Sequence, residues 1–188
     1  MLPLRILLTA SWFGSIAFGS PIGDRQAPRP TIIPEYDLVP ETLQQLWQAS
    51  DIIVIGVVGA HERFESRYGS APPLLYTKYQ VALTMLLKGD SRSERGHAIA
   101  VIRQGYEVDK RSGTSIVEEE GFSRFVEGSR YLLFLEWRES LQGYIVVSGP
   151  NGSYELNHLV HSEGKSPVAR KYSGVSEDAF VAEILQHK

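Results

Sequence analysis

Apolar and polar positions follow different periods in different parts of the chain, and each period predicts an element. In residues 40 to 49, Leu43, Leu46 and Trp47 recur at three- and four-residue spacing behind Pro40 and Glu41, which predicts a short amphipathic helix. Asp51 ends it, and Ile52-Ile53-Val54-Ile55-Gly56-Val57-Val58 follows with no polar face at all. A β-branched run of that kind predicts a central strand buried on both sides, with a bulge or bend at Gly56. Residues 74 to 87 alternate instead: Tyr79, Val81, Leu83, Met85 and Leu87 fall on one face and Lys78, Gln80, Ala82 and Thr84 on the other. That is the pattern of a long, half-buried strand.

Lys88-Gly89-Asp90 reads as a turn and residues 98 to 102 as the next strand, with a weaker strand candidate at 114 to 117. Residues 131 to 135 and 143 to 147 are separated by only a few positions and should pair as an antiparallel hairpin. Gly149-Pro150-Asn151-Gly152 is a turn signal, and 154 to 160 a final short strand. Residues 163 to 174 read as an irregular connection. Ser176-Glu177-Asp178 then caps a closing helix with Phe180, Val181, Ile184 and Leu185 on one face. Strands that follow one another without crossover helices imply an antiparallel sheet, and closure removes its exposed edges. The expected fold is therefore mainly β: a small antiparallel OB-like β-barrel with a short N-terminal and a C-terminal α-helix.

Composition narrows the setting. The chain has 188 residues, 43% of them hydrophobic, enough for one sizeable core. Residues 1 to 19 combine Arg5, an apolar stretch from Ile6 to Phe18 and a small-x-small ending at Gly19, which predicts a cleaved signal peptide too short to span a bilayer. Residues 20 to 36, with four prolines, read as a linker, and 37 to 188 as a single β-barrel domain. The mature protein is thus expected outside the cytoplasm, periplasmic or secreted, with no membrane span. A formal charge of −3 gives no basic excess for nucleic acid, and Arg92, Arg95, Arg103, Lys110 and Arg111, interleaved with acids, read as solvated loops. With no cysteine, the chain has no disulfide, thiolate metal site or thiol nucleophile, and an exported protein without disulfides points to a bacterial source.

Three motifs recur together in a known family. Ala49-Ser50-Asp51 leading into a β-branched strand, a long alternating strand ending in Leu87-Lys88-Gly89, and Phe125-x-x-Gly128-x-x-Tyr131-Leu132 with Phe134 resemble the OB-fold domain shared by tissue inhibitors of metalloproteinases and netrin-like modules. The chain also looks like cysteine-free exported bacterial domains of this TIMP-like type. The resemblance spans roughly residues 49 to 154 and implies a fold. In the animal inhibitors an N-terminal cysteine chelates the protease zinc, a mechanism that a chain without cysteine cannot share.

Candidate chemistry is sparse. The histidines are His61, His97, His158, His161 and His187, and only His158-x-x-His161 has ligand-like spacing. Three-residue spacing on a strand places side chains on opposite faces, so a site with Glu155 or Glu163 would need a local turn. Glu118-Glu119-Glu120 lacks the spaced pattern of a calcium loop and reads as a solvated strand end. No Gly-x-Ser-x-Gly or phosphate-cradling loop occurs; Ser148-Gly149 and Gly152-Ser153 belong to turns, and Asn151-Gly152-Ser153 reads as a turn rather than a glycosylation acceptor. Tyr131, Phe134, Tyr144 and Tyr154 offer an aromatic face on paper, but read better as core. The expectation is a non-catalytic binding or interaction module for another extracytoplasmic protein, with no catalytic, cofactor or metal residues assigned. The alternatives are a protease inhibitor acting through residues 62 to 73 or 104 to 113, or a metal-dependent hydrolase using His158 and His161.

Overall fold

A computed structural model describes residues 39–66, 74–90, 98–105 and 122–187. The expected signal peptide, linker, Glu118-Glu119-Glu120 triplet, His97 and 114–117 strand lie outside them. In chain order the elements are α1 (Leu43–Ala49), β1 (Ile52–Ser66), β2 (Leu74–Lys88), β3 (Ala98–Gln104), β4 (Arg130–Arg138), β5 (Gly143–Val146), β6 (Ser153–Asn157), β7 (Leu159–His161), α2 (Pro167–Tyr172) and α3 (Glu177–Leu185). The fold is mainly β, with helices at both ends, as the sequence predicts. β1 pairs with β2 and with β4, so the order β1-β2-β3-β5-β4 closes on itself as a five-strand ring, and β6 and β7 extend it from β4. One pairing departs from the antiparallel expectation: β3 and β5 run parallel, Val101 beside Tyr144 and Ile102 beside Ile145. Because the chain passes through the antiparallel β4–β5 hairpin, the last ring strand returns to β3 in the same direction.

The uniform hydrophobicity of β1 has a direct cause. Ile52, Val54 and Val58 join the cluster inside the ring with Val81, Val101, Leu133 and Leu135. Ile53 and Ile55 join a second cluster outside it, where Leu43 and Leu46 of α1, Val168 and Tyr172 of α2, and Phe180 and Ile184 of α3 cover the sheet. Both faces of the strand are interior. The bulge expected at Gly56 is present as a register shift between Ile55 and Gly56. That shift and a second between Ile53 and Val54 change the face of β2 opposite them. Tyr79 and Val81 point into the ring with Leu83 packed partly against them, whereas Leu87 joins the outer cluster and Met85 is 49% exposed, so the five residues do not share one face.

The helix expected from Pro40 begins later, because Thr42 is its N-cap. The Gln45 N–H donates to the Thr42 hydroxyl at 3.3 Å, and the Gln45 side chain accepts from the Thr42 N–H at 3.2 Å. At its other end the residues of two motifs form one knot. The Ser50 hydroxyl donates to the Leu46 carbonyl, Lys88 Nζ donates to the Trp47 and Ser50 carbonyls at 2.5 and 2.6 Å, and Asp51 accepts from the Trp137 N–H at 2.7 Å. A lysine at a helix C-terminus satisfies carbonyls that the helix leaves open and complements its dipole. Gly89 follows with φ +75, and a Cβ there would lie 2.3 Å from the Asp51 carbonyl oxygen.

Two expectations fail near the C-terminus. The irregular connection holds a helix, α2, started by Ser166 as N-cap and Pro167 at the first position. The predicted strand 154 to 160 is a hairpin of β6 and β7 that turns at His158, a residue with φ +59. In α3, Phe180 and Ile184 are buried and Val181 packs against them, but Leu185 is 43% exposed.

Candidate functional site

The five-strand ring has two ends, and they are finished differently. At one, the knot around Asp51 and Lys88 ties the end of α1 to β2 and β4. At the other, the motif Phe125-x-x-Gly128-x-x-Tyr131 folds inward as a plug. Gly128, at φ +86, makes the turn, its N–H donating to the Val58 carbonyl at 2.8 Å while Val58 N–H donates to the Ser129 carbonyl at 3.0 Å. Val126 N–H donates to the Tyr131 hydroxyl at 3.2 Å. The Phe125 ring then sits 5.1 Å from Tyr79 and 4.9 Å from Tyr131, with Phe122 5.7 Å away edge-on.

Arg103 of β3 holds this plug. Its guanidinium donates to the Phe122 and Ser123 carbonyls at 2.5 and 2.6 Å and lies 3.5 Å from the centre of the Phe122 ring. Arg103 is not the solvated loop residue that its charged neighbours predict: it lies in β3 and is 6% exposed. The sequence carried the signal, since Arg103 continues the alternation of the inward residues Ile99 and Val101. Burial lowers its pKa to about 10, opposed by the nearby Tyr79 and Glu163, so it stays charged at neutral pH. Glu163 closes the same corner, its carboxylate accepting from the Ser123 N–H at 2.5 Å. Burial raises the Tyr79 and Tyr131 hydroxyls, with Arg103 opposing the shift at both.

Beyond Val58 the β1–β4 ladder comes apart. β4 pairs with β1 only from Ile52 to Val57, and a bulge in β1 between Val58 and His61 carries its outer half away from the plug. The gap is an open slot of about 440 Å3, with His61 and Tyr79 on one wall and Ser123, Arg124, Phe125 and Val126 on the other. Val126 is 55% exposed. Ser66 pairs with Leu74 and Tyr76 with Gln104, so the connections after β1 and β3 leave from this same end. These are the two segments singled out as inhibitory loops, although residues 67–73 and 106–113 lie outside the described part.

The other candidates disperse. His161 stands across the β6–β7 ladder from Glu155, and both line a small cavity under the plug with Glu163, while His158 sits at the hairpin turn and does not. Among the described residues no group of three or more acidic or histidine side chains is placed to hold a metal ion. The aromatic face does not exist: Tyr131 and Tyr144 lie inside the ring, Phe134 and Tyr154 outside it, and all four are buried. Asn151 and Ser153 are also buried, and the Asn151 side chain donates to the Ser148 carbonyl and accepts from the Ser166 N–H. The segment is structural: a 3-10 turn at Gly149–Gly152 leads into β6. No described helix is long and apolar enough to cross a membrane.

No family model matches the chain. Nor does any curated protein.

Proposed function

We propose that the chain is an exported, non-catalytic binding module, built on a TIMP-like scaffold, that docks another extracytoplasmic protein through the slotted end of the ring. The observation that supports this most is the convergence at that end of an open slot and both long connections, on a plug fixed by Arg103. Loops carried by a rigid frame are the usual seat of recognition. At the opposite end the motif residues Ser50, Asp51 and Lys88 are engaged in tying α1 to β2 and β4.

The test is cross-linked recovery of a partner by the full chain from the extracytoplasmic fraction of its source, repeated with Val126→Arg at the slot and with Leu86→Arg at an exposed position near the far end of β2. One dominant partner lost with V126R and kept with L86R is the expected result. A blank recovery sinks the reading, and loss with L86R alone moves the site elsewhere. If the partner is a protease, titration of its activity decides whether docking inhibits it.

A further inference from the structure

We infer that a groove between α3 and β2 docks an amphipathic helix of a partner protein, apolar along one side and carrying a basic residue in its last turn. The groove shares no lining residue with the slot, so this inference stands apart from the docking reading above. It holds about 460 Å3. Ile55 and Met85, opposite each other in the β1–β2 ladder, form one side, and Asp178, Val181, Ala182 and Leu185 of α3 form the other. Spacings of three, four and seven put those four on a single stripe of the helix, next to the face on which Phe180 and Ile184 cover the outer cluster. Met85 is 49% exposed and Leu185 43%, so two large apolar side chains left in water line the same groove.

The lining says which occupant fits. Beside the apolar floor the Ile55 carbonyl already accepts from the Thr84 hydroxyl at 3.0 Å. An extended ligand would bring N–H and C=O groups onto this surface without partners, whereas a helix brings them already paired. Ala182, with only a methyl group, lets a second helix approach closely. From Asp178 to Leu185 the stripe runs about 10 Å, two turns of such a helix. The charged residues of the lining are Arg130, Glu177 and Asp178, one positive and two negative. Arg130 pairs with Glu177, so Asp178 sets the sign of that end and selects a cation. A helix lying antiparallel to α3 places its last turn there, where a basic residue also complements its own dipole. A second copy fits less well. Antiparallel pairing of two α3 stripes sets Asp178 of one copy against Leu185 of the other, and so buries a carboxylate on an apolar side chain.

Besides Met1, Met85 is the only methionine, so its methyl resonance in the full chain reports on the groove. The probe is an alanine-rich helical peptide with leucines at i and i+4 and arginine at i+7, compared with a twin carrying glutamate for arginine and another with proline between the leucines. The arginine peptide should shift the Met85 methyl saturably and bind roughly three- to tenfold more tightly than the glutamate twin. The proline twin, unable to form the helix, should not bind. Asp178→Asn should erase the preference for arginine while binding persists, Ala182→Trp should abolish the shift by filling the groove, and Val126→Arg should change neither. No shift with the arginine peptide, equal binding of any twin, a preference that survives D178N or a shift that survives A182W overturns the proposal. A Met85 methyl shielded from a soluble paramagnetic agent in the free chain makes the occupant a segment of the chain itself. A Met85 shift that grows with protein concentration alone makes it a second copy. Either result overturns the partner helix, whatever the slot binds.

Discussion

Between Ile52 and Val57, β1 has β2 on one side and β4 on the other, and its side chains fill the clusters inside and outside the ring. From His61 to Ser66, among the described residues, only β2 pairs with it, and Glu62, Arg63 and Glu65 are exposed. Among the described residues, a single strand thus has two strand neighbours in its first half and one in its second. The bulge between Val58 and His61 divides the two halves. Anchoring by two neighbours in the first half leaves the ring independent of what borders the second.

The comparison predicts unequal costs. Ile53→Ala should lower stability by about 2–5 kcal/mol in urea denaturation, since it opens a fully buried site. A loss under 1 kcal/mol there would erase the distinction. At the junction, Arg103→Met should cost about 1.5–3 kcal/mol by freeing the Phe122 and Ser123 carbonyls, and should make the plug exchange faster before the ring does. In the outer half, Phe64→Ala removes a ring stacked 5.3 Å from Tyr76 and should cost only about 0.5–1.5 kcal/mol.

The framework side also carries a pH signature. Tyr154 of β6, buried in the cluster outside the ring, has no hydrogen-bond partner for its hydroxyl among the described residues, and burial raises its pKa above the ordinary 10.0. A raised acid keeps its proton in the folded chain after the unfolded chain has lost it. Its contribution is therefore complete below pH 10 and declines as pH rises from there toward the folded value. Tyr154→Phe should leave stability at pH 7 within about 1 kcal/mol of the parent and flatten the loss above pH 10, read as urea midpoints at both pH values. An unchanged alkaline slope would refute this. The smallest effect belongs to the outer half: Lys78→Ala, breaking the exposed 2.9 Å pair with Glu62, should change stability by less than about 1 kcal/mol.

How far the sequence could be read follows the same division. β1 and β4 were legible because two-sided burial leaves continuous apolar runs, and the β4–β5 hairpin because its connection is short. Features set by distant pairing were not. The two register shifts that rotate Met85 outward depend on β1, some thirty residues away, and alternation within β2 gives no hint of them. α2 was missed because one and a half turns offer too few periodic positions, although Ser166 and Pro167 did announce its start. The slot was illegible for a further reason: it exists where a ladder stops, and no residue type marks the place where a partner strand leaves. Arg103 was legible in principle, but its charge outweighed its position in the alternation.

The closure of the ring through β1 and β4 also sets a clock. Ile52 meets Leu135, about eighty positions later, so at typical synthesis rates the first strand waits several seconds before its second neighbour exists. Throughout that interval Ile52 to Val58, seven residues without a charge or a proline, is an unfinished template of the kind that recruits other chains. The segment that makes the finished protein secure is the one that makes the growing chain most prone to aggregate.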